Sequence, residues 1–250
     1  MSVVEDAPQR IAAMATLTDA ALDGHVIGLP AFDALRIVAA ETSLPARYAH
    51  DLIQGFRLDA EEWRPRTEDD LLTYCYHVAG VVGCMMAVIM GVAPDDEAVL
   101  DRACDLGLAF QLANIARDIE EDAAAGRCYL PTDWLDELDI SPDAVMADRA
   151  KLALLAQRLT DRAAQFEASA RMGTRALSLR SAWAVLAAAE IYGAIGRKVA
   201  ARGEHAWDAR VTTSRWDKLR FIVRARGDAR RRAELMESAR SAKLWRRPGR

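Results

Sequence analysis

The chain has 250 residues, 52% of them hydrophobic and 28% charged; this balance excludes disorder and sits at the upper end of what one core can serve. One domain over residues 1–250 is therefore the expectation. A net charge of −4 and a pI of about 5.7 exclude a nucleic-acid binder, which would carry a basic excess.

In chain order, apolar residues recur at helical spacing almost throughout, and no period-2 stretch of strand length interrupts them. The spacing predicts helices over 7–24, 31–42, 45–58, 68–90, 96–123, 142–172, 178–202, 215–226 and 228–239. Met1 to Arg10 has acidic residues and no apolar segment, so it does not read as a signal peptide. Thr67-Glu68-Asp69-Asp70 reads as an N-cap followed by acidic residues, which the helix dipole favours. Ser43-Leu44-Pro45 and Ser141-Pro142 place proline at helix starts. Gly24, Gly126 and Gly203 stand where helices should stop. The apolar run Val78–Ala93 is 16 residues against the ~20 a membrane span needs, so it reads as a buried central helix. The fold class predicted is all-α, built on long helices.

Cys75, Cys84, Cys104 and Cys128 form neither a CxxC pair nor a zinc-type cluster, and three of them fall in apolar or helical stretches, which points to small buried thiols there and to a reducing cytoplasm. From Arg215 the chain is rich in Arg and Lys, and about residues 228–250 read as a basic tail. Such a tail is either solvated or in peripheral contact with an anionic membrane. Nothing in these residues specifies an oligomeric state.

Chemistry concentrates on the helix predicted over 96–123. Gln111, Asn114, Asp118, Glu121 and Asp122 share a stripe about 140° wide, while Leu108, Leu112, Ile115 and Ile119 fill the opposite side. Three carboxylates within about one turn oppose one another by roughly 0.2–0.5 kcal/mol per pair. They would gain from a countercharge, and carboxylate oxygens suit the hard cation Mg²⁺, with Mn²⁺ as a substitute. Asn114 adds a neutral oxygen, and Arg117 a planar fork for phosphate. Alone, an acidic DxxxD of this kind is most often a solvated helix face. The apolar context upstream and the Gly126-Arg127-Cys128-Tyr129-Leu130-Pro131 sequence after it argue for a site.

The string from Gln111 to Pro131 resembles the second aspartate-rich motif of the squalene/phytoene synthase family, in its bacterial phytoene synthase branch. Tyr74-Cys75-Tyr76-His77-Val78-Ala79-Gly80-Val81-Val82-Gly83 is similar to the family's cavity-lining helix, and helical spacing puts Tyr74 one turn before Val78 on the same face. Segments around Tyr192 and from Trp207 to Leu219 are similar to its late helices. The resemblance implies an isoprenoid-synthase helical bundle around a central cavity. It implies a Mg²⁺-dependent prenyltransferase of carotenoid biosynthesis, joining two geranylgeranyl diphosphates head to head through a cyclopropyl diphosphate to phytoene. Asn114, Asp118, Glu121 and Asp122 would hold metal, with Tyr74, Asp118 and Asp122 catalytic. Gln111, Asn114, Arg117, Arg127, Tyr129, Tyr192, Arg215 and Lys218 would bind the prenyl diphosphate, with Arg210 a further basic candidate.

In family register the first aspartate-rich motif falls ahead of Met1, and Asp19-Ala20-Ala21-Leu22-Asp23 lacks the surroundings to replace it. The chain as given is therefore expected to have little or no synthase activity. A squalene- or hydroxysqualene-forming relative, and a non-catalytic relative serving in binding or assembly, are the alternatives.

Overall fold

The computed structural model describes residues 7–234 and 238–249. The helices are α1 (Ala7–Leu22), α2 (Pro30–Thr42), α3 (Ala46–Ala60), α4 (Glu68–Cys75), α5 (Val81–Ile89), α6 (Glu97–Ala124), α7 (Thr132–Asp136), α8 (Arg149–Gly173), α9 (Leu179–Arg202) and α10 (Arg215–Arg231). No strand occurs among the described residues. The longest helix, α6, is the spine: α5, α8 and α9 all pack along it, α10 lies outside α9, and α1–α3 cover the α5 side.

Local signals set most boundaries. Thr67 and Asp70 form the reciprocal cap that starts α4, each side chain bonding the other's backbone N–H. Gly24, Gly126 and Gly203 have positive φ at the ends of α1, α6 and α9. The helix expected over 142–172 is divided, because Asp148 accepts from the Lys151 N–H at 3.1 Å and so caps α8. Its first residues, Pro142–Ala147, form a separate 3₁₀ turn. The two helices expected over 215–226 and 228–239 differ too: α10 runs through Gly227 to Arg231 without a break. Residues 235–237 of the second lie outside the described residues.

A π-helical turn, Tyr76–Gly80, joins α4 to α5, so Glu68–Ile89 forms one 22-residue helix, close to the span of 68–90 expected. It is long and apolar enough to cross a membrane, and half of its most apolar window is buried inside the fold. Glycines let it approach α6. A Cβ on Gly83 would lie 2.2 Å from Ala103 O, and one on Gly107 would lie 2.2 Å from Ala79 O. Both obstacles are backbone, so neither can turn aside. Gly107→Ala is expected to cost about 3 kcal/mol through overpacking, read as a lower urea midpoint. Gly227→Ala on α10, whose nearest neighbour is an arginine tip at 4.0 Å, is the neutral control.

The basic C-terminus is not a solvated tail. Arg240 grips Asp105 of α6 with two bonds, at 2.9 and 2.6 Å, and Arg247 donates to Asp101 at 2.9 Å and pairs with Glu97. Leu244 joins the core, and Trp245 packs on Tyr76 with ring centroids 5.9 Å apart. Residues 238–249 are a strap across the start of α6. Asp105 and Asp101 face the strap from buried positions on the helix, so the arginines that read as a tail are their counterions.

Candidate active site

The polar stripe of α6 meets an apolar cavity of about 450 Å³ between α5, α6, α8 and α9. Gln111 and Asn114 line it, with Val78 and Val82 from the π-turn and α5, and Tyr192 from α9. Tyr192 stacks on Phe110 with centroids 4.2 Å apart. The Asn114 Oδ1 atom is buried and has no hydrogen-bond partner. A buried carbonyl oxygen left unpaired costs about 1–3 kcal/mol, and such an atom beside carboxylates marks a place for a cation or a donor.

Asp118 and Asp122 continue the stripe past the cavity. Asp118 accepts from Arg117 Nε at 2.7 Å, makes a second contact with the same guanidinium, and pairs with Arg210 at 3.0 Å. Arg210 also pairs with Glu121. The loop after α9 delivers Arg210 because Trp207 donates to Ala116 O at 3.2 Å and Val211 is buried. Asp122 has no such partner. Burial, followed by the charge of Asp118, pushes its carboxyl up to about 6, and Arg127 pulls in the opposite direction.

Beside Asp122 stands a carboxylate that the sequence reading missed. Tyr74 and Tyr129 both donate to Asp59 Oδ1 of α3 at 2.9 Å, their rings stacked 4.9 Å apart. Trp63 extends the stack, and the charge of Asp59 contributes to raising Asp122. Its signal was Gly55, one turn earlier on α3: a Cβ there would strike Val78 at 2.8 Å. A glycine and an aspartate at i and i+4 mark the face of α3 pressed against the cavity helix.

Several expected residues are placed differently. Tyr74 was to share a face with Val78, but only Val78 lines the cavity. The widened π-turn between them changes the register, so the Tyr74 ring turns toward Asp59. Burial and its partners Tyr129 and Asp59 hold its hydroxyl protonated. The Arg117 fork closes on Asp118 rather than standing open for phosphate. Glu121 is exposed and spent on Arg210. Arg127 is exposed just past α6, while Arg215 and Lys218 are exposed on α10. Asp19 pairs with His50 at the surface, away from the cavity.

The chemistry of the donors fits a hard divalent cation. Among the described residues no three Asp, Glu, His or Cys side chains converge into a ready cage. Mg²⁺ does not require one, since it binds through one or two carboxylates, retained waters and substrate phosphates. Asn114, Asp118 and Asp122 supply oxygens of that kind along two turns of one helix.

Comparison with known proteins agrees with this geometry. The sequence model described as squalene/phytoene synthase matches residues 2–217. The chain belongs to the squalene/phytoene synthase family. It is 48% identical over 246 residues to a protein of Pseudescherichia vulneris named phytoene synthase, covering 98% of this chain and 79% of that one. It is 50% identical over 221 residues to a 15-cis-phytoene synthase of Enterobacter agglomerans, covering 88% and 74%. Among solved structures, a dehydrosqualene synthase in complex with a ligand superposes with a TM-score of 0.77 at 26% identity, covering 90% and 81%. The squalene synthase HpnC of Alicyclobacillus acidocaldarius superposes at 0.71 and 26%, covering 82% and 79%. In the squalene/phytoene synthase family, then, this chain has the fold of the solved synthases and the sequence of the phytoene branch.

The raised Asp122 carboxyl has a measurable consequence. A metal must displace its proton, so Mg²⁺ affinity is expected to fall as pH drops below about 6, approaching tenfold per pH unit. For the metal-free protein the sign reverses. With a folded value above the unfolded one, the Asp122 contribution to stability is complete below the unfolded pKa of about 3.9 and is lost as pH rises through about 6. Calorimetric Mg²⁺ titrations and thermal melts across pH 5–8 check both.

Proposed function

We propose that this protein is a phytoene synthase, a Mg²⁺-dependent prenyltransferase that joins two geranylgeranyl diphosphates head to head. The observation that carries this reading is the unpaired Asn114 oxygen, set between an apolar cavity and the carboxylates of Asp118 and Asp122. Relatives with 46–50% identity that bear the phytoene synthase name support the substrate class.

The cavity takes the prenyl tail, and its apolar walls keep water from an allylic cation. Asn114, Asp118 and Asp122 are the residues that would hold Mg²⁺. When bound, the ion neutralises diphosphate and acts as a Lewis acid on the departing group. Arg210, now shared between Asp118 and Glu121, is placed to release them and meet phosphate oxygens. The stacked rings of Phe110 and Tyr192 offer π faces to positive charge developing in the tail. The Tyr74–Asp59–Tyr129 cluster stiffens the wall beside Asp122.

The test is binding of thiolodiphosphate analogues, which cannot turn over. Mg²⁺-dependent binding is expected, tighter for the C20 than for the C15 analogue. A preference for C15 would move the chain to the squalene or dehydrosqualene branch. Failure to bind either with Mg²⁺ would overturn the reading.

The four cysteines are free and buried, which supports a cytoplasmic enzyme. With the strap docked, the membrane-facing surface we propose is the outer side of α10. There Trp216, Leu219 and Val223 are exposed among Arg220, Arg226 and Arg230, a composition suited to an anionic bilayer. Co-sedimentation with phosphatidylglycerol vesicles, weakened in Trp216→Ala, is the expected result.

A further inference from the structure

The cavity does not end against packed core. Beyond it, between α6, the end of α8 and the strap, lies a second space of about 830 Å³, open and more polar. Three residues line both: Val99, Arg102 and Gly173. At this partition α6 and α8 touch closely, since a Cβ on Gly173 would lie 2.8 Å from Arg102 Cβ. Arg102 itself lines both spaces, with its guanidinium fixed between α8 and the strap. It is held from both sides, donating to Ser169 O of α8 at 2.9 Å and to Ser238 O of the strap at 2.5 Å. The hydroxyl of the same Ser169 donates to Asp105 at 2.6 Å, and Asp105 in turn holds Arg240. The partition is therefore a charged group across an apolar channel, fixed by the strap.

Its distance from the carboxylate end is defined by one helix. Twelve residues separate Arg102 from Asn114 on α6, which at about 1.5 Å each is about 18 Å. An extended hydrocarbon advances roughly 1.2 Å per bond. The main chain of a C20 prenyl group, with fifteen bonds, therefore spans about 18 Å. A C25 group spans about 23 Å and a C15 group about 13 Å at the same advance. Only the longest must cross the partition, and there it would meet a guanidinium whose desolvation it cannot offset.

We infer that Arg102, held by Ser169 and Ser238, is the end stop of the prenyl channel and sets its upper chain length at C20. Arg102 touches the far end of the tail, not the reacting atoms, so it is a specificity residue. The inference rests on the proposed reading of the cavity as a prenyl diphosphate site.

The experiment compares Mg²⁺-dependent binding of C15, C20 and C25 thiolodiphosphates to the full chain and its variants. Wild type is expected to bind C20 and to discriminate against C25 by tenfold or more. Arg102→Ala joins the two spaces and should erase that discrimination while leaving C20 binding within a few-fold. Leu106→Phe, one turn nearer Asn114, should shift preference toward C15, and it tests the channel independently should Arg102→Ala fail to fold. An unchanged C25-to-C20 ratio in Arg102→Ala, or equal weakening of all three ligands, would overturn the end stop while leaving the proposed function standing. An unchanged C15-to-C20 ratio in Leu106→Phe would likewise overturn it. Absence of any binding by wild type would remove both.

Discussion

Replacing Asp118 and Asp122 together by asparagine is expected to abolish Mg²⁺-dependent binding of prenyl diphosphate, with a loss of roughly 100-fold or more, since both anionic oxygens that would hold the cation are gone. Asparagine is chosen over alanine because Asp118 neutralises Arg117 and Arg210, and truncation would strand those guanidiniums. The two positions should part company in stability. Asp118→Asn keeps one acceptor oxygen but removes the charge that pairs with two arginines, and it should lower the melting temperature. Asp122→Asn removes a half-buried carboxylate with a like charge one turn away, and the metal-free protein should melt higher at pH 7–8. A site residue whose removal stabilises the fold is one retained for binding. Isothermal titration with Mg²⁺ and the C20 thiolodiphosphate measures the first effect, and thermal melts the second. Undiminished binding by the double variant would refute the assignment of these carboxylates.

Cutting the strap should have the largest effect on stability. Arg240→Ala leaves Asp105, which is fully buried, without either of its guanidinium bonds, retaining only the Ser169 hydroxyl. Breaking a buried pair on one side costs about 3–5 kcal/mol, because the remaining charge is uncompensated. Removing both partners, as in Asp105→Leu with Arg240→Met, should cost much less than the sum of the single changes. Burial already raises the Asp105 carboxyl, with Arg240 opposing it. Without Arg240 that carboxyl should take up a proton more readily, so the deficit of Arg240→Ala should shrink as pH falls. Urea midpoints at two pH values for the single and double variants test this. Equal and additive costs would show the strap to be held by packing alone.

What could be read from the amino acids differs in kind from what could not. The capping pair Thr67 and Asp70, the stop glycines and the apolar periodicity of α6 are local features, because a helix repeats every few residues whatever surrounds it. The stripe Gln111–Asn114–Asp118–Asp122 belongs to the same class, and with the Gly126–Pro131 sequence it was enough to identify the family. Periodicity placed Tyr74 with Val78 and treated Arg117 as a free fork, and in both cases packing overruled it. The π-turn that redirects Tyr74 accompanies the close crossing of α5 on α6 at Gly83 and Gly107, a contact between segments far apart in sequence. Asp59, Arg210 and the strap arginines acquire their roles the same way: each becomes the partner of a buried group on another helix. Sequence by itself determined which residues share a face of one helix. Only the tertiary structure decided which charges meet across helices and where the channel ends, because those depend on how closely two backbones approach.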